Sequence, residues 1–94
     1  MEIAKSDIVR SDAGRDQGKL FVVLAVEGEY LLLADGKSRK VEAPKRKKRR
    51  HVQAAFQTES RIAEKIRNGE KVLNSELRKE LASFGQKQSQ NQGG

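Results

Sequence analysis

The chain has 94 residues, with 20 lysine and arginine residues against 13 aspartate and glutamate residues, a formal charge of +7. It has no cysteine and one histidine, which excludes disulfides, thiol catalysis and a cysteine metal site, and leaves too few ligands for a transition-metal site. The longest apolar stretch, residues 20–26, is far shorter than the ~20 residues that cross a bilayer, and no secretory signal pattern begins the chain. We therefore expect one small, soluble, cytoplasmic domain without cofactor or membrane partner.

The positive charge is concentrated in one segment. Residues 37–51 carry nine basic residues and one acidic residue, Glu42, whereas residues 1–36 are net negative. At its centre, residues 45–50 are six consecutive cations. Because neighbours in such a run lie well within a Debye length of ~8 Å, they repel one another. A row of phosphates relieves this repulsion and releases counterions, so the segment favours nucleic acid as the partner.

Three other interpretations of the basic run remain open. It could be a solvated loop that keeps the protein in solution, or a nuclear localisation tract, which is compatible with RNA binding. A membrane-surface patch is the third, but such patches need bulky apolar residues beside them. Here only Val52 and Phe56 are available.

The pattern of apolar residues and turn residues predicts an antiparallel meander. Asp35-Gly36 is a strong hairpin signal, and Pro44 should end the strand that returns from it. After the basic run a short strand can close the sheet. Five strands joined by tight turns favour a small β-barrel; the predicted strands are Ile8–Arg10, Leu20–Val26, Tyr30–Ala34, Ser38–Glu42 and His51–Gln53.

The second strand is apolar on both faces. Leu20, Val22 and Leu24 share one face, and Phe21 and Val23 share the other. A small barrel covers only its inner face, so another part of the chain should cover the outer one.

The C-terminal third supplies two short helices for that purpose. Thr58 can cap a first helix from Glu59, which Asn68-Gly69 should end. Asn74 or Ser75 can cap a second helix that ends at Gly85, with residues 77, 81 and 84 on one face. We expect both helices to dock on the outer face of the sheet, because helices this short are marginal alone. Residues 86–94 contain no apolar side chain and should be a disordered tail.

One stretch resembles a known family. Residues 8–23, Ile-Val-Arg-Ser-Asp-Ala-Gly-Arg-Asp-Gln-Gly-Lys-Leu-Phe-Val-Val, resemble the KOW motif, which consists of a strand, a glycine-bearing loop and a second strand. With Asp35-Gly36 and the basic run ending in His51-Val52, residues 6–53 are similar to the family of large-subunit ribosomal protein fourteen of archaea and eukaryotes. The helical part is similar to small bacterial KOW proteins described as RNA-binding. Gln17 departs from the motif, which often has a basic residue there.

The resemblance implies an SH3-like barrel that binds RNA. Added to the observations above, it predicts an SH3-like KOW barrel over residues 1–53, a helical hairpin over 54–85 and a tail over 86–94. The glycines at 14 and 18 bracket a tight loop whose backbone N–H groups can reach phosphates. The candidate RNA-binding residues are Arg10, Arg15, Lys19, Lys37, Arg39, Lys40, Lys45, Arg46, Lys47, Lys48, Arg49, Arg50 and His51.

The predicted function is non-catalytic RNA binding, as a ribosomal or ribosome-associated protein that is a monomer when free. The chain has four aromatic residues, of which Phe21 and Tyr30 are expected in the core. Few rings are then left for stacking on bases, and this favours structured ribosomal RNA held through its backbone. Asp12 and Asp16 lack a third catalytic group, so an enzyme is not expected. The alternative is a KOW module that docks on proteins of the transcription or translation machinery, including ribosomal proteins.

Overall fold

Five antiparallel strands, two helices and two 3-10 turns make up the fold in a computed structural model, which describes the backbone of residues 2–93 and the side chains of residues 2–85. The strands are β1 Ile8–Ser11, β2 Leu20–Glu27, β3 Tyr30–Ala34, β4 Lys45–Lys48 and β5 Val52–Phe56. The helices are α1 Arg61–Arg67 and α2 Asn74–Gly93, and the 3-10 turns are Gly14–Asp16 and Arg49–His51.

The sheet has the strand order β4-β3-β2-β1-β5. Its two edge strands, β4 and β5, are joined only by the turn Arg49–His51. In a flat sheet these edges would lie about 19 Å apart, because neighbouring strands are separated by ~4.8 Å. The connection from Lys48 to Val52 spans at most about 14 Å, so the sheet must bend. No pairing joins β4 to β5 in the described residues, so the barrel that the sequence predicts is not closed.

The prediction for the two apolar faces of β2 is confirmed. Phe21 and Val23 point into one buried cluster with Val9, Leu31 and Leu33. The opposite face of the sheet carries a second cluster, in which residues 8, 22 and 34 pack against residues 66, 72 and 77 of the helical part. The helices thus cover the outer face of the sheet, as a strand that is apolar on both sides requires.

The predicted helix ends are confirmed in part. Ser60 rather than Thr58 caps α1, because its Oγ accepts a hydrogen bond from the Ala63 N–H at 3.1 Å. Asn68 is the C-terminal cap, and Gly69 follows with a φ of 74°. Helix α2 runs from Asn74 to Gly93, so the predicted cap at Asn74 or Ser75 and the predicted end at Gly85 are wrong. The Leu73 carbonyl accepts the first helical hydrogen bond, from the Leu77 N–H at 3.2 Å, which makes Leu73 the residue before the helix. The predicted disordered tail, 86–94, lies outside the residues whose side chains are described and stays a prediction.

The predicted returning strand at residues 38–42 is wrong, because the stretch from 35 to 44 is a loop. The Asp35 carboxylate accepts hydrogen bonds from the backbone N–H groups of Lys37 and Arg39 at 2.9 and 2.8 Å and from the Ser38 hydroxyl at 2.9 Å. This side chain offers the backbone an alternative to a ladder, so Asp35-Gly36 opens a wide loop instead of a two-residue hairpin. The strand that pairs with β3 is β4, after Pro44.

Candidate nucleic-acid interface

The centre of the basic run is a strand, so its side chains alternate between the two faces of the sheet. Lys45 and Lys47 lie opposite Leu33 and Leu31, whereas Arg46 lies opposite Leu32. Cross-strand partners share a face, and residues 31 and 33 belong to the cluster on the concave side. Two cations of the run therefore point inward.

Lys47 is the most buried cation of the run, with 8% of its surface exposed. Its Nζ donates hydrogen bonds to Ser11 Oγ at 2.6 Å and to the Ala13 carbonyl at 2.8 Å. Burial lowers the pKa of Lys47 from 10.5, and the nearby charge of Lys45 lowers it further. This ammonium joins an edge strand to the loop after β1, and it is not positioned to meet a phosphate.

Lys45 binds a buried carboxylate in the same loop. Its Nζ forms a hydrogen bond and ion pair with Asp16, of whose surface 7% is exposed. That hydrogen bond, with the charges of Lys45, Lys19 and Arg39, outweighs burial and holds the pKa of Asp16 below 3.8. Asp16 therefore remains an anion and anchors the cations around it, a role that explains its place in an otherwise basic region.

These contacts position the loop of residues 11–19 beside the end of the basic run. The Asp12 N–H also donates to the His51 carbonyl at 2.8 Å. Two segments that are about 40 residues apart in the chain thus form one surface. The loop of residues 11–19 and the end of the basic run are therefore direct neighbours in the fold.

On the outer face of β4, Arg46 stacks on Tyr30. The guanidinium carbon lies 3.8 Å from the ring centroid, and Lys48 Nζ lies 6.0 Å from the same centroid. Arg46 Nε is also 3.9 Å from Glu27 Oε1, with both side chains more than half exposed. Tyr30 is half-buried and belongs to neither apolar cluster, so its predicted place in the core is wrong. The ring supports Arg46 and is not open to a base.

Side chains at the middle of the loop of residues 11–19 and at the end of the basic run are open to solvent. Arg15, Arg50 and His51 are exposed, and the side chains of Arg15 and Arg50 make no hydrogen bond or ion pair with the described residues. Arg49 is half-buried, and its N–H donates to the Glu29 carbonyl at 2.8 Å. Arg10 lies elsewhere, beside Leu20 on the face that the helices cover.

A second group of predicted residues lies on the loop from 35 to 44. Lys37, Arg39 and Lys40 are all exposed. Arg39 is near enough to Asp16 to lower its pKa, so this loop adjoins the loop of residues 11–19. Burial raises the pKa of Asp35, but the hydrogen bonds from residues 37–39 outweigh it and keep the pKa below 3.8.

Sequence reasoning missed Arg78, whose Nη1 donates to the Gly36 carbonyl at 2.6 Å and places a further cation beside this loop. It also missed the inward direction of two lysines. The period of two in a strand could have indicated this, but six like charges carry no apolar–polar alternation from which a strand can be recognised.

In the part of the chain that the structure describes, no three acidic or histidine side chains are grouped as a metal site would require, and no helix there has the length and hydropathy to span a membrane. A scan of protein-family models finds no match to the chain. A search of curated proteins also finds no relative.

Proposed function

We propose that this protein is a non-catalytic, cytoplasmic RNA-binding protein that binds structured RNA through its phosphate backbone. The observation that carries the proposal is the surface formed by the loop of residues 11–19 and the turn Arg49–His51, which we call the basic junction. Its exposed cations, Arg15 and Arg50, have no partner among the described residues. The buried contacts of Lys45 and Lys47 hold both segments in place, so the charges are presented on a fixed frame.

The rings of the protein favour backbone contacts over base stacking. Phe21 is fully buried, and Arg46 covers Tyr30. Phe56 and Phe84 stack on each other, with ring centroids 4.5 Å apart. Readers of single-stranded RNA need rings that bases can reach, whereas structured RNA is held mainly by shape and phosphate contacts.

The resemblance of residues 6–53 to KOW proteins supports RNA over DNA and indicates ribosomal RNA as the target. It implies an SH3-like domain on ribosomal RNA, as a ribosomal or ribosome-associated protein with ribosomal proteins as neighbours. The curled sheet, with edge strands joined by one 3-10 turn, is compatible with that fold. We further propose that the free protein is a monomer.

The proposal is tested by the salt dependence of binding to fragments of ribosomal RNA. Two of the six cations in the run face inward, so four remain there and Arg15 adds a fifth contact. The plot of log K against log[salt] should therefore have a slope of roughly −3.5 to −4.5. Substituting Arg15, Arg49 and Arg50 by alanine should make that slope shallower by about 2–3 and weaken binding to different RNA sequences alike.

The matched control removes the same charge from the helical part. Arg61, Lys71 and Lys79 are exposed there, and their replacement by alanine should leave affinity within about twofold. Equal losses in both triple variants, or a slope near zero in the unmodified protein, would contradict the proposal. If the protein is instead a KOW module that docks on proteins, a partner captured from cells will remain bound after RNase treatment.

A further inference from the structure

An open groove lies between α2 and the loop from 35 to 44, with a volume of about 630 Å³. Leu20, Leu81 and Ala82 supply its apolar floor. The first two side chains are half-buried and Ala82 is exposed. A volume of this size is within the range of about 300–1,000 Å³ typical of sites for small ligands.

Three cations surround that floor: Lys19, Lys37 and Arg78. Arg78 uses one guanidinium nitrogen to bind the Gly36 carbonyl, which fixes its position and leaves further N–H donors. The groove also holds one carboxylate, Asp35, but its oxygens accept hydrogen bonds from the groups of its own loop. The rim is therefore net positive around an apolar surface.

We propose that this groove receives a single unstacked nucleotide, with the base against Leu20, Leu81 and Ala82 and the phosphate among Lys19, Lys37 and Arg78. The inference deepens the proposed function and rests on it. Lys19 belongs to the loop of residues 11–19, so a strand held at the basic junction can extend into the groove. RNA recognition commonly uses bases that leave the helix at a bulge or loop.

The chemistry of the groove favours a nucleotide over two other candidate occupants, the C-terminal residues of the chain and a second copy of it. Residues 86–94 contain no apolar side chain and would leave the floor without a complementary surface. A second copy of the chain carries a charge of +7 and would be repelled by the cationic rim. A flat base joined to an anionic phosphate matches both the floor and the rim. That ligand can come from RNA or from a free nucleoside phosphate.

The test compares a fully paired RNA hairpin, the same hairpin with one bulged uridine, and free UMP. The unmodified protein should bind the bulged hairpin about tenfold more tightly, which corresponds to about 1.4 kcal/mol. In Ala82→Glu, a carboxylate stands in the groove, so this preference should vanish while affinity for the paired hairpin is kept. Ser83→Glu adds the same charge at the next exposed residue, outside the groove lining, and should retain the preference. Circular dichroism should show the same helix content in both variants.

The outcomes separate the groove from the basic junction. Equal affinity for the two hairpins in the unmodified protein, or a preference that persists in Ala82→Glu, overturns the groove proposal and leaves backbone binding intact. If neither hairpin binds, the proposed function fails. In that case an NMR titration with UMP tests the groove alone. Shifts of the Gly36 and Ala82 amide signals would indicate a site for a free nucleotide, whereas unchanged signals would overturn the groove proposal as well. Dimerisation that Ala82→Glu abolishes would also overturn it, since the groove would then hold a second copy.

Discussion

The role of each cation in the basic run depends on the face from which its side chain projects. Lys47 and Arg50 are three positions apart and carry the same charge, yet the first is 8% exposed and the second is exposed to solvent. A buried charge is tolerated only where hydrogen bonds compensate for its desolvation. Lys47 has two such bonds, to Ser11 and Ala13. Net charge therefore overstates the number of cations that can meet an anion.

We expect Lys47→Met to destabilise the protein by about 1–3 kcal/mol, since it keeps the apolar stem but removes both hydrogen bonds of the ammonium. The Ser11 hydroxyl then loses its donor, and the Ala13 carbonyl keeps only the bond from Ser11 Oγ at 3.1 Å. Urea unfolding at neutral pH measures this loss. Arg50→Met removes the same charge from an exposed site, so it should change stability by less than about 0.5 kcal/mol and lower RNA affinity instead. Equal stability of the two variants would contradict the inward role of Lys47.

Asp16 should make stability depend on acid pH. Its hydrogen bond and ion pair with Lys45 hold its pKa in the folded protein below the ordinary value of 3.8. The stabilisation is therefore complete above that value and is lost as the pH falls through the lower folded pKa, because the unfolded chain then binds the proton first. The difference in unfolding free energy between the unmodified protein and Asp16→Asn should shrink on acidification.

Lys45→Gln removes the partner that contributes most to this shift and serves as the second variant. Its stability should converge with that of the unmodified protein over the same acid range, measured by urea unfolding at successive pH values. A difference that stays constant with pH would show that Asp16 does not depend on Lys45.

At the level of elements, the sequence predicted β1, β2, β3 and α1 closely, placed the start of β5 within one residue, and failed between residues 35 and 50. The first three strands have apolar residues in recognisable runs, and glycines at 18, 28 and 36 flank β2 and β3. Strand β4 consists of four cations, and no hydropathy pattern distinguishes it from a solvated loop. The wide loop before it depends on three local hydrogen bonds to Asp35 and on docking against α2. The docking is a tertiary contact that cannot be deduced from local propensity.

That loop docks on the beginning of α2 through a close backbone approach. Gly36 has a φ of 77°, and a Cβ there would lie 2.2 Å from the Asn74 carbonyl oxygen. The Asn74 side chain in turn accepts from the Val41 N–H at 2.8 Å and donates to Glu42. Any side chain at position 36 would separate the loop from the helix.

Gly36→Ala should therefore destabilise the protein by more than about 2 kcal/mol, the sum of the left-handed backbone cost of about 1–2 kcal/mol and the displacement of α2. Gly28→Ala is the matched control, because Gly28 has a φ of 63° and no atom within 4 Å of its would-be Cβ. Gly28→Ala should therefore be destabilised only by the cost of the left-handed backbone conformation. Thermal or urea unfolding of the two variants measures the difference, and equal losses would show that the approach to Asn74 costs nothing.

At the scale of the whole molecule, β2 joins the two apolar clusters. Its residues 21 and 23 contribute to the concave cluster, and its residue 22 contributes to the cluster shared with the helices. The sheet and the helices therefore bury apolar surface against opposite faces of β2. Because neither part can expose its side of β2 to water without losing that burial, the sheet and the helices should unfold together.

Leu77→Ala tests this coupling, since Leu77 is fully buried where α2 meets the sheet. Deleting a buried leucine costs about 2–5 kcal/mol. The fluorescence of Tyr30, the single tyrosine in a chain without tryptophan, reports on the sheet, and circular dichroism at about 222 nm reports mainly on the helices. In urea both signals should change at one midpoint in the unmodified protein, and both should move together to lower urea in Leu77→Ala. Separate midpoints, or a shift confined to the helix signal, would mean that the sheet folds without the helices and that the cluster around Leu77 does not support the strands on which the basic junction is built.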